Sequence, residues 1–156
     1  MRIGVLSDTH GDVAMAKLAL TKMGNIDILL HAGDHFQDAN ELAKTKKVPV
    51  YAVVGNCDWD NEKEDLLITA GGKKIWLTHG HRYGVKASHR QLITHALEEK
   101  VDIVVYGHTH VPVSVFEQGV LLFNPGSLTR PRGIKGSTYG IIEIDGDDIV
   151  PFIHEL

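Results

Sequence analysis

Short apolar segments of strand length alternate with helix-like segments through the first two-thirds of the chain. The strand-like segments are residues 2–7, 27–31, 48–54, 74–78 and 102–106, and the helix-like segments are residues 12–23, 36–46 and 86–100. The first helix has Asp12 as a candidate N-cap and Gly24 as a stop. The apolar side of the third helix consists of Leu92, Ile93, Ala96 and Leu97. This alternation predicts βαβ units, in which the strands lie parallel.

In the last third of the chain, strand-like segments follow one another with turn residues between them. They are residues 113–117, 120–123, 137–144 and 149–154, and the turns are Gln118-Gly119 and Asp145-Gly146-Asp147. A further hairpin turn is predicted at residues 70–73. We therefore expect an antiparallel meander after the βαβ units. Two sheets packed face to face, with helices outside, would accommodate both patterns in an α/β fold.

The size and charge of the chain restrict its class and its partners. A length of 156 residues suits a single domain covering residues 1–156. The formal net charge of -4 gives no indication of a nucleic-acid partner, so a phosphate site would need a local source of positive charge. The N-terminus lacks signal-peptide features, and no apolar run approaches the roughly 18 residues that span a bilayer. Together with a single cysteine, Cys57, these features predict a cytoplasmic protein without a membrane partner.

Polar side chains follow five of the strand-like segments, at the point where each segment ends. These residues are Asp8, His10, Asp34, Asn56, His79, His108 and His110. Because the carboxyl ends of parallel strands meet at one edge of a sheet, we expect these side chains to lie close together. Taken singly, each could be an ordinary loop or turn residue. Their recurrence after five strands favours a shared site.

Carboxylate, amide and imidazole donors without a thiolate suit divalent ions such as Mn, Fe, Zn or Ni. Two such ions about 3.5–4 Å apart can share a bridging carboxylate and a bridging water. They would bring four positive charges against the two aspartates, so the site would keep a net charge of about +2. We therefore predict two divalent metal ions per chain, with Mn as the first choice.

The motifs Asp8-Thr9-His10, Gly33-Asp34, Gly55-Asn56, His79-Gly80-His81 and Gly107-His108-Thr109-His110 occur in this order along the chain. This ordered set resembles the signature of calcineurin-like metallophosphoesterases. The later Asn124-Pro125-Gly126-Ser127 is similar to a segment of the small bacterial and archaeal phosphodiesterase branch. The resemblance implies a four-layer αββα sandwich of two mixed sheets flanked by helices.

The resemblance also implies a role for each ligand. The first metal would be held by Asp8, His10 and His110. The second would be held by Asn56, His79 and His108. Asp34 would bridge the two ions, and a bridging hydroxide would attack the phosphorus of a small phosphate-ester substrate. Asn56 would also take part in catalysis by contacting a phosphate oxygen.

Cys57 departs from the family pattern, in which many members have a histidine directly after the Gly-Asn pair. That histidine is thought to bind phosphate and to protonate the leaving group. A thiol with an ordinary pKa of about 8.5 is a poor substitute for it. The candidates for the leaving-group acid are therefore Cys57, His81 and His35.

Other histidines and two arginines have more ordinary interpretations. We interpret His31 as a hydrogen-bonded core residue. Surface or core-edge positions are expected for His89, His95 and His154. Arg130 and Arg132 are expected in a solvated loop, with a phosphate contact as the alternative.

The function predicted from the sequence is hydrolysis of phosphate esters, with diesters favoured over monoesters by the resemblance to the phosphodiesterase branch. The alternatives are a phosphomonoesterase and a non-catalytic scaffold on the same fold, as in a relative within the retromer complex. All seven ligand positions carry donor residues, which favours catalysis. A homo-oligomer is compatible with the sequence.

Overall fold

The computed structural model describes residues 1–156, which form two five-stranded sheets, three α-helices and one short 3-10 helix. The strands are β1 (Arg2–Leu6), β2 (Ile28–His31), β3 (Val50–Ala52), β4 (Asp65–Ala70), β5 (Lys73–Thr78), β6 (Ile103–Val105), β7 (Val113–Glu117), β8 (Val120–Asn124), β9 (Thr138–Asp145) and β10 (Asp148–Glu155). The α-helices are α1 (Val13–Lys22), α2 (Phe36–Thr45) and α3 (Arg90–Glu98), and the 3-10 helix is His81–Tyr83. None of these helices is both long and apolar enough to cross a membrane.

Both sheets mix parallel and antiparallel pairs. The first has the strand order β10-β9-β1-β2-β3, with β1, β2 and β3 parallel and β9 antiparallel to β1. The second has the order β4-β5-β6-β8-β7, with β5, β6 and β8 parallel. The carboxyl ends of the central parallel strands therefore lie at one edge of each sheet, as the sequence predicts.

Three apolar clusters show how the layers are stacked. The largest, with 16 buried residues, contains Ile3 and Leu30 of the first sheet together with Ile75 and Phe123 of the second, so it lies between the sheets. A second cluster packs α1 and α2 against the first sheet, and a third packs α3 against the second sheet. This helix–sheet–sheet–helix arrangement confirms the predicted αββα sandwich.

The turn chemistry of the sequence predicts several boundaries correctly. Asp12 caps α1 by accepting a hydrogen bond from the Met15 N–H at 3.0 Å. Gly71 and Gly72 form the turn between β4 and β5 with φ of 58° and 77°, the left-handed values that a two-residue hairpin requires.

Helix α3 is shorter than predicted. It begins at Arg90 and not at residue 86, because the chain still turns at Gly84, whose carbonyl accepts hydrogen bonds from Ala87 and Ser88. Leu97, predicted on the buried side, is 44% exposed. The buried side of α3 consists of Leu92, Ile93 and Ala96. Leu97, the residue after Ala96, lies outside this buried side.

The last third of the chain is not one meander, which corrects the prediction. The β7–β8 hairpin belongs to the second sheet, whereas the β9–β10 hairpin belongs to the first. The chain crosses between the sheets over residues 125–137, and β8 also pairs in parallel with β6. Turn residues between strands predict a change of direction, but they do not say which sheet the next strand joins.

Candidate metal centre

The loops that follow β1, β2, β3, β5 and β6 bring the predicted ligands together at one end of the two sheets. Contacts of 3.9 Å or less link His10, Asp8 and His110 on one side with Asp34, His79 and Asn56 on the other. The ring of His108 joins this group, since its centroid lies 5.1 Å from that of His79. All seven predicted positions therefore converge.

Four of these residues form a compact cluster on their own. The ligand atoms of Asp8, His10, Asp34 and His110 all lie within 4.8 Å of one another. The Nε2 atoms of His10 and His110 are 3.3 Å apart. Asp8 Oδ1 is buried 3.1 Å from His110 Nε2, yet it makes no hydrogen bond. The Nδ1–H of His110 donates to the Arg130 carbonyl at 2.8 Å, which leaves its Nε2 lone pair for a ligand role.

A second group of donors lies on the other side of Asp34. His79 Nε2 is 3.3 Å from Asp34 Oδ1 and 3.1 Å from Asn56 Oδ1. The Nδ1–H of His79 donates to the Ala32 carbonyl at 2.7 Å, so its Nε2 lone pair also points into the site. The other oxygen of Asp34, Oδ2, is 3.9 Å from His10 Nε2. Asp34 thus presents one oxygen to each group.

The backbone that carries these ligands is mostly left-handed. Positive φ values occur at Asp8 (53°), His10 (47°), Asp34 (56°), His35 (76°), His108 (65°) and His110 (62°). Aspartate and histidine tolerate this conformation better than β-branched residues do. Glycines provide the remaining space: a Cβ added at Gly55 would collide with Asp34, and one added at Gly107 would collide with Ser7. Glycine is therefore required at positions 55 and 107 of the motifs for steric reasons.

Buried hydrogen bonds support the loop from Asp8 to Gly11. Asp38 of α2 accepts from the Thr9 hydroxyl at 2.5 Å and from the Gly11 N–H at 2.9 Å, so it holds both neighbours of His10. Ser127 donates its hydroxyl to the Asp8 carbonyl at 2.8 Å. Asp38 is not recognisable as a supporting residue from the sequence, because an aspartate in the first turn of a helix is an ordinary partner of the helix dipole.

The comparisons with known proteins agree with this arrangement. The sequence profile of the calcineurin-like phosphoesterase superfamily domain matches residues 1–147. A probable metallophosphoesterase of Bacillus subtilis, YsnB, is 34% identical over 150 residues, which cover 94% of this chain and 86% of YsnB.

The chain belongs to the calcineurin-like phosphoesterase superfamily.

Other relatives resemble this phosphoesterase over different lengths. The phosphodiesterase YfcE of Escherichia coli is 36% identical over 107 residues, which cover 62% of this chain and 53% of YfcE. A crystal structure of a predicted phosphoesterase from Streptococcus pneumoniae has a TM-score of 0.87 at 32% identity, covering 99% of this chain and 88% of that one. Vps29 of Entamoeba histolytica, solved in complex with Zn²⁺, has a TM-score of 0.82 at 24% identity over 100% of this chain and 93% of its own, which is a likeness of fold.

The electrostatics of the site favour neutral imidazoles at His10 and His108, but an ionised carboxylate at Asp8 and a charged imidazole at His110. Burial lowers the pKa of His10, and burial followed by the charges of His79 and Lys86 lowers that of His108 to about 4. Burial also raises the pKa of Asp8, but His110, His79 and Ser7 outweigh it and leave that pKa below its ordinary value. The Asp8 carboxylate in turn raises the pKa of His110, so a bound cation would displace a proton there.

The three candidates for the leaving-group acid lie around the predicted ligands. Cys57 is exposed and donates its backbone N–H to Asp34 Oδ1 at 2.9 Å. Its pKa rises to about 11, because partial burial of the thiol and the nearby carboxylates of Asp34 and Asp58 disfavour the thiolate. The ring centroid of His81 lies 5.4 Å from that of His79, and the buried Nδ1 of His81 has no partner. His35 stands edge-on to His10 at 5.9 Å.

The predicted core role of His31 is confirmed. Its side chain is fully buried, and its Nε2 lies 3.0 Å from the Thr9 hydroxyl. Because that hydroxyl donates its proton to Asp38, the Nε2–H of His31 must be the donor to Thr9, and Nδ1 keeps a lone pair without a partner. Burial lowers the pKa of His31 to about 4. His31 is thus a neutral residue that supports the loop from Asp8 to Gly11 through its hydrogen bond to Thr9.

Proposed function

We propose that this phosphoesterase hydrolyses phosphodiesters in preference to monoesters, using two divalent metal ions held by the seven predicted ligands. The observation that carries the proposal is the position of Asp34, which presents Oδ1 to His79 at 3.3 Å and Oδ2 to His10 at 3.9 Å. A carboxylate between two groups of imidazole and oxygen donors is the arrangement that a dinuclear site needs.

The donor set fits divalent ions in charge and in chemistry. Asp8 and Asp34 contribute the only carboxylates among the seven proposed ligands, and the buried Asp8 Oδ1, which makes no hydrogen bond, lies 3.1 Å from His110 Nε2. Two divalent ions would supply an activated water, and they would leave the site with a net charge of about +2 that attracts a phosphate. We propose Mn first, with Fe, Zn or Ni as alternatives. The Zn²⁺ in the Vps29 neighbour supports a divalent ion on this fold.

The chain itself would orient the ester. The amide of Asn56 is exposed at the rim, where its N–H groups could donate to a phosphate oxygen while Oδ1 faces His79. We propose His81 as the leaving-group acid, because its ring lies 5.4 Å from that of His79 and 6.0 Å from that of His108, two of the proposed ligands. The pKa of the Cys57 thiol, about 11, makes it a weaker acid, so we rank it after His81. An exposed free thiol at this place also suits a reducing compartment, and we propose the cytoplasm.

Metal removal tests the proposal on two substrates that share one leaving group, bis(4-nitrophenyl) phosphate and 4-nitrophenyl phosphate. We expect a chelator to abolish hydrolysis of both, added Mn to restore it, and the diester to react faster. Metal analysis should find two ions per chain. Full activity after exhaustive chelation would exclude a metal-dependent reaction, and faster turnover of the monoester would favour the phosphomonoesterase alternative.

A docking function is the second candidate, because apolar side chains are exposed where the edge strands β7 and β10 meet. Phe116, Val150 and Phe152 are between 40% and 51% exposed on these strands. Such a surface could bind a partner protein or a second copy of the chain. A metal-loaded protein that hydrolyses neither ester, but sediments as a dimer, would support this alternative.

A further inference from the structure

A cavity of about 370 Å³ is lined in part by residues that adjoin the proposed ligands His108 and His110 in sequence. Thr109, which stands between His108 and His110 in sequence, forms part of its wall. A Cβ added at Gly80 would lie 3.1 Å from Val85 and 3.5 Å from Tyr106, and both of these residues line the cavity. The cavity is therefore built on the same two histidine loops that carry the proposed ligands.

The inner wall of the cavity is rigid and largely apolar. Val85 and Tyr106 are buried residues of this wall. The Tyr106 hydroxyl lies 2.9 Å from His89 Nε2, and His89 Nδ1 lies 2.9 Å from a carboxylate oxygen of Glu117. Since that carboxylate accepts the Nδ1–H, Nε2 accepts the Tyr106 proton, and the chain of bonds fixes both rings. This fixed layer makes the cavity preformed, and the apolar surface open to a ligand is that of Val111 and Val113.

Two cations stand at the cavity without a partner. Lys86 and Arg132 line it, are exposed, and make neither an ion pair nor a side-chain hydrogen bond. The backbone N–H of Arg132 donates to the His110 carbonyl at 3.0 Å, which ties this residue to a ligand loop. In a chain with a formal net charge of -4, two free cations beside one apolar wall select for a negatively charged ligand.

We infer that this cavity is a subsite for one ester group of the substrate, a group with a flat apolar body and a negative charge of its own. The inference rests on the proposed function, because the scissile phosphate must lie at the metal site for its ester group to enter the cavity. Val111 and Val113, the cavity-lining valines that keep exposed surface, would contact the body, while Lys86 and Arg132 would pair with the anion. Arg132 would then have a role in substrate binding, although the sequence favours a solvated loop.

Two inhibitors of similar shape test the subsite, one with an anionic carboxylate and one with a neutral methyl group: 4-carboxybenzyl phosphate and 4-methylbenzyl phosphate. Their inhibition constants are measured with Mn-loaded protein hydrolysing methyl 4-nitrophenyl phosphate, in which the ester group that remains after loss of nitrophenolate, a methyl group, is too small to fill the cavity. We expect the carboxylate to bind about fivefold more tightly, as two partly exposed ion pairs allow. In the double variant Lys86→Ala/Arg132→Ala this preference should fall to about one, within the same range of ion-pair strengths. Lys22→Ala, which removes an exposed lysine of α1, should leave the preference unchanged.

A second variant tests the space in the cavity. Val111→Trp places a large ring in the opening, so both benzyl phosphates should inhibit less, while inhibition by inorganic phosphate should not change. Thermal melting of each variant confirms that it is folded. If methyl 4-nitrophenyl phosphate is hydrolysed but the two inhibitors bind equally well to the wild type, or if the double variant keeps the preference, the subsite is refuted. If no ester is hydrolysed with or without Mn, the proposed function itself fails.

Discussion

Both ends of the sheets turn the chain with left-handed glycines, such as Gly11, Gly33 and Gly80 near the ligands, but the ligand end adds many left-handed residues that carry side chains. At the ligand end, six aspartates and histidines have positive φ: Asp8, His10, Asp34, His35, His108 and His110. At the opposite end, where β5, β6 and β8 begin, most of these positions are glycines, such as Gly71, Gly72 and Gly119. Only Lys100 and Gln118 are side-chain-bearing exceptions there.

This difference separates ligand placement from chain reversal. A left-handed residue other than glycine costs about 1–2 kcal/mol, and glycine avoids that cost. The ligand end accepts the strain because only a side chain can serve as a ligand, and hydrogen bonds that Asp38 accepts and Ser127 donates hold the loop in place. Substitutions at the ligand end should therefore change metal binding and activity, whereas those at the opposite end should change stability alone.

Asp34→Asn should produce the largest effect. It removes a negative charge shared by both donor groups, so we expect activity on bis(4-nitrophenyl) phosphate to fall by at least about 100-fold and metal content to drop. The metal-free protein should keep its stability within about 1 kcal/mol, because asparagine can still accept the Cys57 N–H bond.

The matched control for this variant is Asp147→Asn, at the turn between β9 and β10. Asp147 is fully exposed and pairs with Lys73 at 3.1 Å. Activity should not change, since the substitution is the same but lies at the opposite end. Normal turnover and two bound ions in Asp34→Asn would contradict the bridging role.

Asp38→Ala should produce a smaller effect, limited to one half of the site. It leaves the Thr9 hydroxyl and the Gly11 N–H without their acceptor, which should free the loop around His10. Loss of such a supporting bond weakens metal affinity by about 10–100-fold. Calorimetric titration with Mn should show one weakened site and one unchanged site, because His79 is held separately by the Ala32 carbonyl.

The conservative variant Asp38→Asn distinguishes positioning from general destabilisation. Its amide oxygen can still accept from Thr9 or Gly11, so most of the affinity should return. Equal weakening of both metal sites in Asp38→Ala would mean that Asp38 does not act through His10.

The sequence predicts the ligand end better than it predicts the connections around it. The strand ends and the ordered motifs were sufficient to predict that Asp8, Asp34 and His108 lie close together, because the carboxyl ends of parallel strands lie at one edge of a sheet. The separation of the two C-terminal hairpins between the sheets was missed, since local turn signals carry no information about the partner strand. The supporting role of Asp38 was also missed, because it depends on a contact 29 residues away in sequence.

His31→Gln tests the support of the ligand end through pH. His31 is neutral when folded, with a pKa of about 4, but its ordinary value of 6.5 applies when the chain is unfolded. The unfolded chain therefore binds more protons between pH 4 and 6.5, so this residue reduces stability as pH falls through that range. From pH 7 to pH 5 the loss should be about 2 kcal/mol.

Urea unfolding of the metal-free protein at pH 7 and pH 5 measures this loss. Glutamine can donate to Thr9 without titrating, so His31→Gln should lose about 2 kcal/mol less than the wild type over the same interval. If both proteins show the same dependence on pH, His31 is not the buried neutral group that the structure places beneath Thr9.

Lys100→Gly should give the smallest effect, and it probes the opposite end. Lys100 follows the last turn of α3 with φ of 53°, and the next residue, Val101, donates its N–H to the Ala96 carbonyl at 2.8 Å. This is the position after a helix where glycine is preferred. Glycine removes the strain of the left-handed backbone, but it also gives the unfolded chain more conformational freedom. The net effect should stabilise the protein by about 0.5–1 kcal/mol. Thermal melting should show a rise of about 2 °C, with unchanged turnover. A loss of activity in this variant would show that the two ends are coupled, and that the strain of the ligand end is not confined to its own loops.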